Sequence, residues 1–414
     1  MRVLVLNSGS SSQKSCLYEL GGAVPEHPPE PLWQGTIEWE PHGQLADLRI
    51  KHAGGGVIHE QRKIHSRQAA IEYLLHTLWE GEARVISGPE DVDVVGHRVV
   101  HGGQEYTQPI VVSPQVRAAL SRLAAFAPLH NRAEVEGIEI VERVVGPVPQ
   151  VAVFDTSFHS QLPLPAAAYA GPYEWLEQGI RRYGFHGINH QYCAERAAQL
   201  LTKDLTSLRL VTCHLGNGCS LAAVRSGRSI DTTMGFTPLD GLMMGSRSGS
   251  IDPGILTYLM RESKSKGEEL DDLLNKKSGL LGISGVSSDM REVLTAMAGG
   301  NPKAKLAFEM FVHQLRRFIG AMVAVLEGMD VLVFTAGIGE NSAEVRSAAC
   351  AGFGFLGLKL DLEKNARPWP DQDIAAPDSA IRVLVIRAQE DWAIARECWK
   401  LAQNAASENS PFAR

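Results

Sequence analysis

The sequence predicts an α/β protein with two domains that share a duplicated strand pattern. Its 414 residues are more than one hydrophobic core usually serves, so two domains are expected. An apolar strand, a Gly-rich turn and a second strand occur in VLVLNSGSSSQKSCLYEL and again, about 200 residues later, in LRLVTCHLGNGCSLAAVRSGRSID. The repeat indicates a duplicated α/β domain whose two turns face each other across a cleft. A chance likeness between Gly-rich hairpins is the alternative.

The first half of the chain is expected to contain a hairpin, a loop, a helix and two further strands. Residues 2–7 predict a buried strand, and residues 14–20 its partner across the Ser/Gly turn. The Pro-rich stretch from Pro25 to Pro41 indicates a surface loop between further strands such as QGTIEW. The remaining elements are a helix over 67–80, a buried strand in DVDVVGHRVVHGG and a strand in PVPQVAVFDTSFH that runs into Asp155.

The second half repeats the strand–turn–strand unit over 208–231 and then predicts a long helix over 304–328. MDVLVFTAGIGENS predicts a strand and a third Gly-rich turn that leads into a helix from Ala343. RVLVIRA predicts the last strand, and a helix follows from Asp391 to about Ala405. The domain boundaries are therefore placed so that one domain comprises 1–154 and 387–414, and the other comprises 155–386.

Composition excludes several classes of protein. The net charge of −7 gives no reason to expect nucleic acid or a membrane surface as a partner. The six cysteines stand singly, which indicates buried thiols in a reducing cytoplasm and speaks against a disulfide framework or a zinc site. The first apolar stretch is too short for a signal peptide, and no apolar run is long enough to span a bilayer.

Three Gly-rich turns that follow apolar strands indicate a bound polyanion. Backbone N–H groups in a tight turn bind phosphate, and glycine lets the main chain approach it closely. No GxxxxGK[ST] is present, and GFGFLG at 352–357 follows a probable helix instead of a strand, so neither a P-loop nor a dinucleotide fingerprint is indicated. No HExxH or similar spacing supports a histidine metal site.

Arginine and histidine side chains cluster in the same kinds of segment. A single Arg or His in a polar loop is usually only solvated. Here each one lies in a Gly-rich or strand-end segment, where the ligand sites of α/β proteins concentrate. The candidates are His97, Arg98, His101, His130, His186 and Arg247.

Nine segments, spread in order over nearly the whole chain, resemble the acetate kinase family. They are LNSGSSSQK, HRVVHGG, APLHN, VFDTSFH, RYGFHG, HLGNGCS, GFTPLDGLMMGSRSG, SDMREV and FTAGIGENS. The resemblance implies the architecture shared by acetate kinases, sugar kinases, Hsp70 and actin. This architecture has two βββαβαβα domains around a nucleotide cleft, here an N-terminal acyl-kinase domain with a returning C-terminal helix and a nucleotide-binding domain, usually as a homodimer. It also implies direct, reversible transfer of the ATP γ-phosphoryl group to acetate.

The resemblance also implies roles for the reacting and acetate-binding residues. Asn7 and Glu390 would hold Mg²⁺, with Mn²⁺ as a substitute, and Arg247, His186 and Asn7 would stabilise the transferring phosphoryl group. Asp155 would position cations, since acetate is already ionised and needs no base. Arg98 would pair with the acetate carboxylate. The rest of the acetate site would comprise Val100, Leu129, His130, Phe185 and Pro238.

The resemblance assigns three further segments, and two residues of the first turn, to ATP and ADP. Ser12 and Lys14 belong to that first turn, and HLGNG would contact the phosphates. SDMREV would face the adenosine, and FTAGIGENS would line the adenine and ribose end. The individual residues are Ser12, Lys14, His214, Leu215, Gly216, Asn217, Gly218, Asp289, Met290, Arg291, Gly337, Ile338, Gly339, Glu340 and Asn341.

The chain departs from the family pattern in two places. GSRSGSIDP stands where the family usually has GTRSGDIDP, so Ser246 and Ser250 replace Thr and Asp. Arg387, Ala388 and Gln389 replace the usual residues before Glu390, so the surroundings of the expected metal carboxylate are altered.

Two alternative functions remain open. A propionate or butyrate kinase would use the same chemistry with a roomier pocket, and Val100 would decide between them, although one methylene changes discrimination by only about 1–3 kcal/mol. A nucleotide-driven conformational ATPase, like Hsp70 or actin, would need no carboxylate substrate. The cationic cluster of Arg98, His186 and Arg247 argues against the second alternative.

Overall fold

The computed structural model describes residues 1–8, 12–39, 45–123, 131–369 and 371–405. The chain divides into two units. Unit 1 comprises Met1–Ser157 and the residues from Gln389 onward, and unit 2 comprises Phe158–Ala388. The first division lies three residues later than the sequence analysis places it. Asp155 belongs to unit 1 because its backbone N–H donates to Val99 O and its carboxylate pairs with Arg98.

Unit 1 is built on an eight-stranded sheet in the order β5-β4-β3-β2-β1-β6-β8-β7. β1 pairs in parallel with β6, and β6 with β8, while β1 to β5 form an antiparallel meander. The strands are β1 (Arg2–Ser8), β2 (Ser12–Glu19), β3 (Trp33–Trp39), β4 (Leu45–His52), β5 (Val57–Lys63), β6 (Val94–Val99), β7 (Ile110–Val111) and β8 (Gln150–Phe154).

Helices cover this sheet and complete its core. They are α1 (Arg67–His76), α2 (Pro114–Leu123), α3 (Asn131–Val144) and α15 (Glu390–Ala405), with one 3₁₀ turn at Pro89–Asp91. α15 packs on β1 and β6, so the C-terminal helix returns to the N-terminal unit. Gly35 of β3 lies against α1, where a Cβ would stand 2.6 Å from Leu74 and from Trp33. A larger residue at Gly35 would therefore separate the helix from the sheet.

Unit 2 is built on a six-stranded sheet in the order β11-β10-β9-β12-β14-β13. Its strands are β9 (Arg209–Leu215), β10 (Cys219–Arg225), β11 (Arg228–Thr232), β12 (Val331–Thr335), β13 (Gln372–Asp373) and β14 (Arg382–Val385). The order β11-β10-β9-β12-β14 repeats β3-β2-β1-β6-β8 of unit 1, with the same parallel and antiparallel pairings. The predicted α/β class is thereby confirmed, and the duplication extends to the sheet order.

The helices of unit 2 lie before β9, between β11 and β12, and after β12. These helices are α4 (Leu164–Ala167), α5 (Tyr173–Glu177), α6 (Gly187–Leu201), α7 (Pro253–Glu262), α8 (Gly267–Lys276), α9 (Gly279–Ser284), α10 (Met290–Ala298), α11 (Pro302–Leu326), α12 (Ala336–Asn341), α13 (Ala343–Cys350) and α14 (Leu362–Ala366). The buried face of α11 packs on β10, α9 and α10. The 3₁₀ turns are Ser157–His159, Leu205–Ser207 and Ala351–Leu356.

The segment after β12 differs from its prediction as a Gly-rich turn. Residues 336–341 form the short helix α12, whose first N–H, that of Ala336, donates to the carboxylate of Glu340 at 2.9 Å. The same carboxylate accepts the N–H of Ala388 at 2.8 Å. This distant contact holds the glutamate where it can cap the helix, and local sequence cannot reveal it.

Several other expectations concern single features of the chain. The tip of the first Ser/Gly turn, residues 9–11, lies outside the described residues. GFGFLG follows α13 and forms most of a 3₁₀ turn, as its position after a helix suggested. All six cysteines are free and buried. Among the described residues, no helix is long and apolar enough to cross a membrane.

Candidate active site

Arg98 and Asp155 form a buried ion pair at the ends of two neighbouring strands of unit 1. Arg98 lies near the end of β6, and Asp155 directly follows β8, which pairs with β6 in parallel. Arg98 Nη2 lies 2.5 Å from Asp155 Oδ2, and Arg98 also donates to the carbonyl of Ser8 at 3.4 Å. The Asp155 side chain is 1% exposed and that of Arg98 is 14% exposed. The parallel register therefore holds a guanidinium in a fixed position at the carboxyl ends of these strands.

Val100 lies two residues after Arg98, and its backbone is hydrogen-bonded to Glu134, a residue that the sequence motifs did not single out. Its backbone N–H donates to Glu134 Oε1 at 2.9 Å, and Glu134 is only 3% exposed. Burial raises the pKa of Glu134 to about 8, against the opposing effect of the Val100 N–H. A sequence signal existed: Glu134 stands four and seven residues before the buried Ile138 and Val141, on the apolar stripe of α3.

The two other candidate histidines of this segment are core residues. His97 Nε2 lies 2.6 Å from Gln150 Oε1, and burial lowers the pKa of His97 to about 4. His101 Nδ1 accepts the N–H of Gly103 at 2.9 Å and is fully buried. Leu129 and His130, which the sequence analysis placed beside acetate, lie outside the described residues.

Asn7 meets two carboxylates at the start of α15, also within unit 1. Its Nδ2 donates to Glu390 Oε2 at 3.2 Å and to Asp391 Oδ1 at 3.0 Å. Lys14 stands opposite Asn7 in the β1–β2 register and forms an ion pair with Asp391. Ser12 begins β2 on the same hairpin. The structure thus brings Asn7 and Glu390 together and orients the Asn7 amide with its nitrogen toward the carboxylates.

Arg247 and His186 meet over the glycine loop of unit 2. A Cβ built on Gly218 would lie 3.4 Å from Arg247 Nη1 and 3.4 Å from His186 Nε2, so both side chains lie beside this glycine. His186 precedes α6 with φ of 57°, and its ring stacks on His214 with centroids 3.9 Å apart. Arg247 Nη1 donates to the carbonyl of Pro238 at 3.2 Å. A cation and an imidazole therefore face the same loop.

A cavity of about 850 Å³ opens beside this loop. Its volume suits a nucleotide-sized ligand. The lining includes eight residues that the sequence analysis assigned to the nucleotide: Gly216, Asn217, Asp289, Met290, Arg291, Gly337, Ile338 and Asn341. It also includes four that the analysis missed although they stand within or beside the same motifs: Ser288, Leu294, Ser342 and Glu344.

Three residues assigned to the nucleotide, Leu215, Glu340 and Asp289, have surroundings in unit 2 that the motifs do not show. Leu215 is fully buried, and Glu340 directs its carboxylate to backbone N–H groups as described above. Asp289 caps α10 by accepting the N–H of Arg291 at 2.8 Å. The Arg291 guanidinium also bonds this carboxylate and holds the pKa of Asp289 below its usual range. Asp289 therefore holds the Arg291 guanidinium in place at the wall of the cavity.

The structure accounts for Ser250, where the family usually has Asp. Ser250 Oγ donates to Asp240 Oδ1 at 2.6 Å and accepts the N–H of Gly241 at 3.0 Å. Asp240 Oδ2 in turn lies 3.3 Å from Arg182 Nη1. A carboxylate at position 250 would face Asp240 without a proton to share.

Ser250→Asp is expected to lower the free energy of unfolding by about 1 kcal/mol at pH 7, because it replaces a donor to Asp240 with a like charge that solvent partly screens. Thermal melting measures the change. Asn has nearly the same shape as Asp but keeps a hydrogen-bond donor toward Asp240, so Ser250→Asn is the matched control. It should retain more stability than Ser250→Asp. Equal melting temperatures for the two variants would contradict this explanation.

Ser246, Arg387 and Ala388 form hydrogen bonds with residues elsewhere in unit 2. Ser246 Oγ donates to the carbonyl of Asn275 at 3.0 Å. The N–H of Arg387 donates to Asp371 Oδ1 at 3.2 Å, and that of Ala388 to Glu340. Within the described ranges, no group of three or more His, Cys, Asp or Glu side chains is arranged to hold a metal ion.

Comparison with known proteins identifies relatives over nearly the whole length. The sequence profile of the acetokinase family matches residues 2–396. The chain is 60% identical over 402 residues to an acetate kinase of Trichormus variabilis, covering 97% of this chain and 99% of the relative. A crystal structure of Porphyromonas gingivalis acetate kinase matches with a TM-score of 0.88, at 37% identity and over 97% and 99% of the two chains. A propionate kinase structure from Francisella tularensis matches with a TM-score of 0.87, at 39% identity and over 96% and 98%.

Proposed function

This chain belongs to the acetokinase family and catalyses the acetate kinase reaction, and we propose how its residues do so. The γ-phosphoryl group of ATP passes directly and in line to a carboxylate oxygen of acetate, which yields acetyl phosphate and ADP, and the reaction is reversible. The observation that supports this most is the meeting of Arg247 and His186 at Gly218. That glycine belongs to the loop whose Gly216 and Asn217 line the cavity of unit 2.

The cavity of unit 2 takes the nucleotide in this proposal. The adenosine lies along Asp289 to Arg291 and Gly337 to Asn341, and the phosphates lie on the glycine loop. Phosphoryl transfer places negative charge on the equatorial oxygens of the moving group. Arg247 neutralises that charge and His186 donates a hydrogen bond to it, and both donors are already held in place, which is the most effective form of transition-state stabilisation.

Arg98 binds the acetate carboxylate in this proposal, and Asp155 positions Arg98. Acetate is ionised near neutral pH, so its oxygen attacks without a general base. The buried pair with Asp155 keeps the guanidinium in one orientation, from which it can hold one carboxylate oxygen while the other reacts. Val100, Phe185 and Pro238 are the proposed contacts of the acetate methyl group.

Mg²⁺ is the proposed metal, with ATP or ADP as its co-ligand. The donor set fits: Asn7 and Glu390 lie together, and an amide oxygen and a carboxylate are the hard ligands that Mg²⁺ prefers. When bound, the ion neutralises charge on the phosphates. Asn7 holds Glu390 through its Nδ2, and Lys14 neutralises Asp391, so the carboxylates at the start of α15 stay oriented. We further propose a cytoplasmic homodimer with no membrane or nucleic-acid partner.

Turnover with three acids tests the substrate. Acetate is expected to have a higher kcat/KM than propionate or butyrate, and each added methylene should cost about 10–200-fold if the methyl pocket is closely packed. Val100→Ala enlarges the proposed pocket, so it should raise the propionate-to-acetate ratio. A clear preference of the unmodified enzyme for propionate would overturn acetate as the substrate.

The same assay separates a kinase from a conformational ATPase. Hydroxylamine converts acetyl phosphate to a hydroxamate whose iron(III) complex is coloured. After iron(III) is added, colour should therefore appear with ATP and acetate and stay absent when acetate is omitted. Slow ATP hydrolysis that is indifferent to acetate would favour the ATPase instead.

A further inference from the structure

A row of hydroxyl and imidazole groups leads to His186 from the interior of unit 2. Thr212 Oγ1 lies 2.7 Å from His190 Nδ1, and His190 Nε2 lies 2.7 Å from Ser220 Oγ. Ser220 Oγ lies 2.8 Å from His186 Nδ1. The pairing of β9 with β10 puts Thr212 and Ser220 on the same face of the sheet, and α6 packs on β9 with His190 in its second turn. Thr212, Ser220 and His190 are all fully buried.

The hydrogen-bond distances indicate which group donates and which accepts at each contact of this row. The Ser220 hydroxyl has one proton, so it donates to one ring and accepts from the other. If Ser220 donates to His190, then His190 Nδ1 donates to Thr212. The Thr212 hydroxyl can then donate only to the Ala222 carbonyl, at a long 3.5 Å. If Ser220 donates to His186, then Thr212 donates to His190 and every contact is 2.7–2.8 Å. The second direction makes the better set of hydrogen bonds.

The second direction also needs a neutral His190, which the surroundings provide. Burial holds the pKa of His190 well below its usual range, and the rings of His159 and His214 lower it further. The titratable and charged groups around the row are His159, with its ring centroid 5.6 Å from that of His190, His214, stacked on His186, and Arg247, beside Gly218.

We propose that Thr212, His190 and Ser220 form a positioning relay that keeps the proton of neutral His186 on Nε2, the nitrogen beside Gly218 and Arg247. The inference rests on the proposed role of His186 at the phosphoryl group. With the proton on Nε2, a neutral imidazole donates a hydrogen bond to an anionic oxygen. With the proton on Nδ1, it would turn a lone pair toward that anion. The relay thus supplies the correct donor without requiring an imidazolium.

The neighbouring ring has a similar arrangement. His214 Nδ1 lies 2.8 Å from Asn189 Nδ2, an amide that can only donate. A neutral His214 therefore also carries its proton on Nε2, the nitrogen that lies 3.6 Å from a Cβ built on Gly216. Two stacked imidazoles each receive a hydrogen bond at Nδ1 from the interior, and their Nε2 atoms lie beside glycines of the same loop.

Nitrogen-15 NMR of the histidine rings tests the relay independently of activity. In full-length protein labelled at histidine, the His186 resonances, assigned by their loss in His186→Gln, should show the proton on Nε2. Ser220→Ala removes the last link and should produce a mixture of the two tautomers. A proton on Nδ1 in the unmodified protein would overturn the proposal, and so would an unchanged tautomer in Ser220→Ala.

Kinetics of a second pair of variants provide the matched control. Thr212→Val removes the outer hydroxyl and is expected to lower kcat about 10-fold with KM values nearly unchanged, whereas Thr212→Ser keeps the hydroxyl and should retain activity. Thr232→Val makes the same change at an equally buried residue of β11, whose hydroxyl donates to the Leu221 carbonyl at 2.8 Å. Equal kcat losses in Thr212→Val and Thr232→Val would overturn the relay.

The two measurements keep the relay and the proposed function apart. If Ser220→Ala changes the tautomer but leaves kcat unaltered, the relay stands and the role of His186 at the phosphoryl group fails. If the tautomer and kcat change together, both are supported.

Discussion

Arg247→Ala is expected to lower kcat by about 10²–10³-fold, which corresponds to about 3–4 kcal/mol of lost transition-state stabilisation. Arg247 Nη1 is held over the glycine loop by the Pro238 carbonyl, next to His186, so its charge is in place before the phosphoryl group moves. Alanine removes that charge and leaves the nucleotide cavity of unit 2 unchanged. The hydroxamate assay for acetyl phosphate measures the loss, and the KM for ATP should change much less than kcat.

Two further variants define what the Arg247 result means. Arg247→Lys keeps the charge but lacks the planar fork, so it should recover only part of the activity. Arg225→Ala removes an arginine of the same unit that likewise donates to a carbonyl, that of Val325, and it should retain full activity. If well-folded Arg247→Ala forms acetyl phosphate at the unmodified rate, the proposed mechanism is wrong.

Asp155→Ala is expected to have the largest effect on stability, lowering the free energy of unfolding by about 3–5 kcal/mol. Asp155 is 1% exposed and Arg98 only 14%, so the variant leaves a buried guanidinium without its counter-charge. The acetate kcat/KM should fall as well, because Arg98 loses its fixed orientation. Urea unfolding measures the first effect, and initial rates at varied acetate concentration measure the second.

A double variant separates the two roles of this pair. Replacing both partners with apolar residues of similar size, as in Arg98→Met with Asp155→Leu, should restore much of the stability because no buried charge remains. It should not restore activity, because the carboxylate-binding guanidinium is gone. A double variant as unstable as Asp155→Ala would contradict the buried-pair explanation.

Strand and helix positions were predictable where the signal is local. The apolar runs in β1, β2, β9 and β10, and the glycines between the paired strands, depend on residues close in sequence, so the duplicated hairpins could be predicted directly. The long apolar stripe of α11 is equally local. The prediction for 336–341 was wrong because Glu340, which caps α12, is held by Ala388, 48 residues away.

Resemblance to the family located the main candidate residues, but it could not find those that act through them. Glu134 touches the Val100 segment from α3, and Ser220 reaches His186 from β10. Glu134 belongs to none of the nine family segments, and nothing in the segment HLGNGCS shows that its last residue, Ser220, faces a histidine. Their roles exist only once sheet pairing and helix packing bring residues together from 34 positions apart in each case.

The amino-acid sequence by itself determined the fold class, the repeated hairpins and the types of residue at the site, because periodicity, glycine and charge act over a few residues. The tertiary structure alone decided which groups pair: Arg98 with Asp155, Asn7 with Glu390, and Thr212 through His190 and Ser220 with His186. The physical reason is that a hydrogen bond or an ion pair requires contact within about 3 Å. Between residues distant in sequence, sheet pairing and helix packing set that distance.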